Sequence, residues 1–110
     1  MIIKNCGYDI LECEITASIT HGEATKIGTQ ADYNLIKNVA TKAGLIRGTM
    51  KLDNVDMKGT LILNPSAGSE DLIEFFTVSM AGGETAYVIV GQIYVSSGDL
   101  YILANVVSLS

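Results

Sequence analysis

Residues 85–110 carry a single charge, Asp99, and run apolar almost to the last position. They read Ala86-Tyr87-Val88-Ile89-Val90-Gly91-Gln92-Ile93-Tyr94-Val95, a Ser96-Ser97-Gly98-Asp99 break, then Leu100-Tyr101-Ile102-Leu103-Ala104-Asn105-Val106-Val107. β-Branched and aromatic residues around a Ser/Gly/Asp break predict two strands joined by a tight turn. Two such strands left with bare edges would aggregate, so the chain's own core or another chain must cover them.

Three further stretches alternate with a period of two. Leu11, Cys13, Ile15, Ala17 and Ile19 alternate with Glu12, Glu14, Thr16 and Ser18, which predicts a half-buried strand with Cys13 on its apolar face. His21-Gly22-Glu23 ends that run, and Thr25 to Gly28 can return as a short strand. Ile46, Gly48, Met50 and Leu52 alternate with Arg47, Thr49 and Lys51, while Met57, Gly59, Leu61 and Leu63 alternate with Lys58, Thr60 and Ile62. Residues 46–63 therefore read as a hairpin whose four-residue loop is Asp53-Asn54-Val55-Asp56. Asn64-Pro65-Ser66-Ala67-Gly68-Ser69 is the clearest loop.

Two segments stay open between helix and strand. Residues 33–43 fit a short helix capped by Asp32 and closed by Gly44, with Ile36, Val39, Ala40 and Ala43 on one face. Ser69 to Gly82 fits a helix with Ser69 as N-cap, but an internal likeness favours a strand over 72–80. Thr16-x-Ser18 followed by Gly22-Glu23 recurs as Thr77-x-Ser79 followed by Gly83-Glu84. That match superposes Leu11, Ile15, Ala17 and Ile19 on Leu72, Phe76, Val78 and Met80. The expectation is a mainly β fold over a single domain, 1–110: a compact antiparallel barrel or sandwich, with 33–43 the place for one short helix.

Charge narrows the function classes. Charged residues are 17 % of the chain, below the usual ~25 %, which tilts towards buried subunit contacts. All seven Lys and Arg lie in residues 1–58, and residues 59–110 hold only acids (Glu70, Asp71, Glu74, Glu84, Asp99), against a net charge of −5. Phosphate backbones need clustered Lys and Arg, so nucleic acid is not an expected partner. No apolar stretch reaches the ~18 residues of a membrane helix, and no membrane partner is expected. Met1–Cys6 has one base and no apolar h-region behind it, so a reduced, intracellular site of synthesis is expected.

Catalytic and metal signals are absent from the sequence. His21 is the only histidine and reads as a polar turn residue; a Cys–His nucleophile would need Cys6 or Cys13 beside it. One His and two Cys fall short of a structural zinc site. Asp53–Asp56 lacks calcium-loop spacing and suits a turn. Glu70, Asp71 and Glu74 group together without a base to tune them. No cofactor, metal or catalytic residue is assigned, and the expectation is a non-enzyme.

Ile19-Thr20-His21-Gly22-Glu23-Ala24-Thr25-Lys26-Ile27-Gly28, followed by Tyr33-Asn34-Leu35-Ile36-Lys37, resembles the opening of small tailed-phage capsid decoration and head-fibre proteins. Residues 81–95, again led by a Gly-Glu turn, resemble their later strand pair; residues 49–80 depart from that pattern. The resemblance implies a virion structural protein that clamps neighbouring capsomers by covering their junctions. Its partners would be a major capsid or other shell protein and copies of itself, a trimer among the options. It carries over no functional residue. A shell-binding chain offers terminal strands to its neighbours, so the candidate interface is Met1, Ile2, Ile3, Leu103, Val106, Val107 and Leu109. Alternatives are another self-assembling β subunit (tail tube, baseplate or pilus-like) and a small acidic binding or inhibitor domain. An enzyme would need a carboxylate pair brought together by the fold.

Overall fold

The computed structural model describes residues 2–6, 13–65, 71–81 and 85–109. Along the chain the elements are β1 (Ile2–Lys4), β2 (Glu14–Ile19), β3 (Thr25–Thr29), α1 (Gln30–Lys42), β4 (Leu45–Leu52), β5 (Val55–Asn64), β6 (Leu72–Ala81), β7 (Thr85–Ser96) and β8 (Asp99–Leu109). All eight strands share one curled half-barrel sheet in the order β1-β2-β4-β5-β6-β7-β8-β3. The mainly β fold with one helix is as the sequence predicts, and so is the strand at 72–80. The sheet is not wholly antiparallel as expected: β2 and β4, joined through β3 and α1, pair in parallel.

Alternation decides which side chains fill the concave face. Ile15, Ala17 and Ile19 from β2, Ile46, Met50 and Leu52 from β4, and Leu61 and Leu63 from β5 all turn inwards and are buried. Ile73, Phe75, Ile89, Ile93, Leu100 and Ile102 continue that core across β6 to β8. Each of the larger of these side chains contributes roughly 1.5–3 kcal/mol by leaving water.

The helix closes the concave side. Tyr33, Ile36, Val39 and Ala40 recur at helical spacing and are buried, and α1 contacts β3, β4, β7 and β8. It starts three residues before the expected Tyr33, with Thr29 and not Asp32 as N-cap. Asp32 sits at N3, where its Oδ2 accepts the Thr29 N–H at 3.0 Å and lies at the dipole's positive end. At the other end the Ala43 and Gly44 N–H groups both donate to the Val39 carbonyl, so the helix stops at the expected glycine.

Turn chemistry sets the hairpins. Asp53 (φ 51°) and Asn54 (φ 67°) form the whole turn between β4 and β5. Val55 and Asp56, expected in a four-residue loop, are already paired with Leu52 and Lys51. Asp and Asn tolerate the left-handed region, which lets two residues reverse the strand with the right twist. Ser97 and Gly98 do the same between β7 and β8.

Two features fall outside the sequence reading. Cys6 and Cys13, for which the sequence offers no pairing and predicts a reduced site of synthesis, are joined in a disulfide with Cα atoms 4.7 Å apart. The antiparallel β1–β2 register, Lys4 opposite Glu14, brings them together. The second feature is the orientation of β6. Phe76 and Val78, expected to match the buried face of β2, face out and are 44 % and 54 % exposed. Thr77 and Ser79 face in and are fully buried. The Thr16/Thr77 likeness is therefore one of residue types with the burial inverted.

Candidate functional site

The outer face of the sheet, opposite the helix, is where the chain departs most from an ordinary solvated surface. Strand register builds a row across it: Leu45 opposite Ile62, Ile62 opposite Phe76, Phe76 opposite Val90, and Val90 opposite Asn105. Val78 pairs with Val88 in the next row. Seven large hydrophobics are exposed among the described residues, and five of them, Leu45, Ile62, Phe76, Val78 and Val90, belong to these two rows. Scattered exposed apolar residues need no explanation, but a contiguous set marks a contact surface.

Beside the apolar rows the face is polar and charged. Asn64, Glu74 and Gln92 form a row on one side, ending at Leu103. Lys58, paired with Thr49 and Met80, lies on the other, and Arg47, paired with Thr60, stands at the β4 end of the Val78 row. Glu74 and Lys58 are both exposed, and neither has an ion-pair partner among the described residues. A groove of about 490 Å³ runs between the Phe76 row and the Glu74 row, walled by Phe76, Val90, Leu103, Glu74, Gln92 and Asn105. Gly91 also lines it; a Cβ there would strike the Leu103 carbonyl and sit 2.8 Å from the buried Phe75 ring. Tyr94 and Tyr101 stack across β7 and β8 with centroids 5.6 Å apart at the end of the same face.

The inner face shows the cost of this arrangement. Thr77 Oγ1 and Ser79 Oγ are buried with no hydrogen-bond partner among the described residues. They crowd over Gly59, where a Cβ would lie 2.7 and 2.6 Å from the two oxygens. The β5–β6 ladder skips this point: Lys58 pairs with Met80 and Ile62 with Phe76, with no paired residues between. Each unsatisfied hydroxyl costs about 1–3 kcal/mol. The opposite orientation would bury Glu74 and leave its carboxylate unpaired, which costs more.

The residues expected at an interface are spread over two margins of the sheet. Met1 lies outside the described residues, as does the side chain of Ile2, whose backbone is in the edge strand β1. Ile3 and Val106 are half-buried against the core. Leu103 lines the groove, and Val107 is 57 % exposed. The Leu109 backbone pairs with Tyr87, and its side chain is outside the described residues. β3 covers β8 only from Asp99 to Ile102. Beyond that, Ala104 O accepts the Gly22 N–H at 2.9 Å, and residues 105–109 have β7 on one side and no strand on the other among the described residues.

Sequence reasoning missed Leu45, Phe76, Val78 and Val90 as surface residues. One signal was available: Ile62 falls on the Lys58/Thr60 face of its strand. His21 is in the expected turn, its N–H donating to Asp53 Oδ1 at 2.9 Å. Of the expected acidic group, Glu70 lies outside the described residues, and Asp71 and Glu74 are exposed. Burial, then the Asp71 carboxylate, pushes the Tyr33 phenol above its ordinary 10.0. Among the described residues no three His, Cys, Asp or Glu side chains group as metal ligands, and no helix is long and apolar enough to cross a membrane. No family model, curated protein sequence or solved structure significantly matches the chain.

Proposed function

We propose that the chain is a non-enzymatic virion structural protein, a capsid decoration or minor head component that attaches to a shell protein by β-strand addition. The observation that carries the reading is the backbone edge of β8 from Asn105 to Leu109, which no strand among the described residues covers and which holds the exposed Val107. An extended segment of a shell protein can pair along such an edge, main-chain hydrogen bonds supplying affinity and flanking apolar side chains specificity. The low charge content supports the same reading, because a subunit held by its neighbours needs less solvated surface.

Quantitative mass spectrometry on sedimented particles from the source tests the role. Fixed, high stoichiometry with a major shell protein supports it, and recovery in the soluble fraction alone sinks it. Val107→Lys tests the edge, since a lysine there deters strand pairing while leaving the core alone. Attachment should fall at least about tenfold with the circular dichroism unchanged; unchanged attachment removes strand addition at β8.

A further inference from the structure

We infer that the outer face of β4–β8 is the interface of a two-fold symmetric dimer, and that its occupant is a second copy of this chain. The inference is independent of whether the chain rides on a shell. Its first support is the inverted β6: Phe76 and Val78 are placed in solvent while Thr77 and Ser79 are buried with no hydrogen-bond partner among the described residues. A face of that composition is completed when it meets another apolar face.

Charge chooses the occupant and the symmetry. In a face-to-face dimer the two-fold axis lies between the sheets. An axis along β6 would set Glu74 directly on Glu74 of the other copy, two exposed carboxylates in a partly dried contact. An axis perpendicular to the strands, between the Phe76 and Val78 rows, keeps each strand over its own counterpart and reverses its direction. Register then sets Phe76 on Val78 of the second copy, Val90 on Val88, and at the β4 margin Leu45 on Arg47. The Glu74 row comes to lie over the Lys58 row, two steps beyond Val78 in the same ladders. Glu74 and Lys58, each without an ion-pair partner among the described residues, meet across the interface twice, once on each side of the axis. The same surface thus carries both halves of the match, which is the requirement for a closed, isologous contact. The groove beside Phe76 gives the Lys58 chain of the second copy room to reach Glu74.

Sedimentation velocity on the full chain over a wide concentration range tests this. The wild type should pass from monomer to dimer, and Phe76→Lys should stay monomeric with unchanged circular dichroism. Should Phe76→Lys lose its fold, Val78→Lys, at the more exposed position, provides the same reading. Glu74→Lys and Lys58→Glu should each weaken the dimer at least about tenfold, and the two together should regain most of the loss. A monomer at every concentration, or a dimer unaffected by the lysine at 76 or 78, overturns the interface. A double reversal no better than the single ones overturns the perpendicular two-fold arrangement.

Discussion

β2 and β6 carry closely similar strings, Thr16-Ala17-Ser18-Ile19 and Thr77-Val78-Ser79-Met80, and the fold uses them in opposite senses. In β2 the aliphatic positions are buried, Ile15 at 0 % and Ala17 at 4 % exposure, and Thr16 and Ser18 face outwards. In β6 the hydroxyls take the core side and Phe76 and Val78 take the solvent side. Alternation tells which residues share a face, because the strand period is two; which face is inside is settled by register against the neighbours. For β6 the neighbours are Gly59, which leaves room for two hydroxyls, and Gly91, which leaves room for the Phe75 ring.

Matched substitutions at the superposed positions 15 and 76 would break the comparison if it is wrong. Ile15→Ala should cost about 2–5 kcal/mol in denaturant unfolding, as a cavity in a closed core does. The counterpart, Phe76→Ala, measured at concentrations where the chain is monomeric, should stay near the ~0.5 kcal/mol typical of surface changes. Comparable losses at the two sites would mean that β6 has the orientation of β2.

The disulfide ranks next. Cys6→Ala/Cys13→Ala should cost roughly 2–3 kcal/mol through the lost constraint on a short loop, and it should act on the β1–β2 margin, leaving β6 untouched. Hydrogen exchange would locate the effect: faster exchange confined to β1 and β2 is expected, and uniform acceleration would contradict it.

Hydroxyl removal sharpens the comparison from the inside. Thr77→Val keeps the shape and removes an unsatisfied group, so it should stabilise by about 1 kcal/mol, whereas Thr16→Val on the outward side of β2 should change little. A destabilised Thr77→Val would mean that the Oγ1 has a partner, such as an ordered water.

The smallest effect is at alkaline pH. Tyr33 has a folded-state pKa above its unfolded value, through burial and then Asp71, so it disfavours the folded state once the unfolded phenol begins to ionise. The neutral folded phenol is fully stable below about pH 10, and the chain loses stability as pH rises through that value, where the unfolded state gives up its proton first. Tyr33→Phe should flatten that alkaline fall; an unchanged slope would show that Tyr33 does not carry it.

Much of the fold was legible because alternation and turn chemistry agree locally. The β4–β5 and β7–β8 hairpins combine a period of two with Asp-Asn and Ser-Gly turns, and the α1 stripe ends at Gly44 as its spacing requires. The start of α1 was not legible, because Asp32 serves equally as a cap and as the N3 partner of Thr29. The Cys6–Cys13 pairing depends on the β1–β2 register, which three residues of β1 cannot announce. The outer face was hidden for the same reason as the β6 orientation: Phe75 and Phe76 are adjacent, so the apolar phase changes within the strand, and only the neighbouring strands decide which ring is buried.

Hydroxyl-radical footprinting of Phe75 and Phe76, read by mass spectrometry over a concentration series, tests the inverted strand and its pairing together. The two rings are neighbours in sequence, yet Phe75 is 4 % and Phe76 44 % exposed. Heavy labelling of Phe76 and protection of Phe75 in dilute solution, with Phe76 becoming protected as concentration rises, is the expected result. Labelling of Phe75 at or above the level of Phe76 would contradict the orientation of β6 and everything built on its outer face.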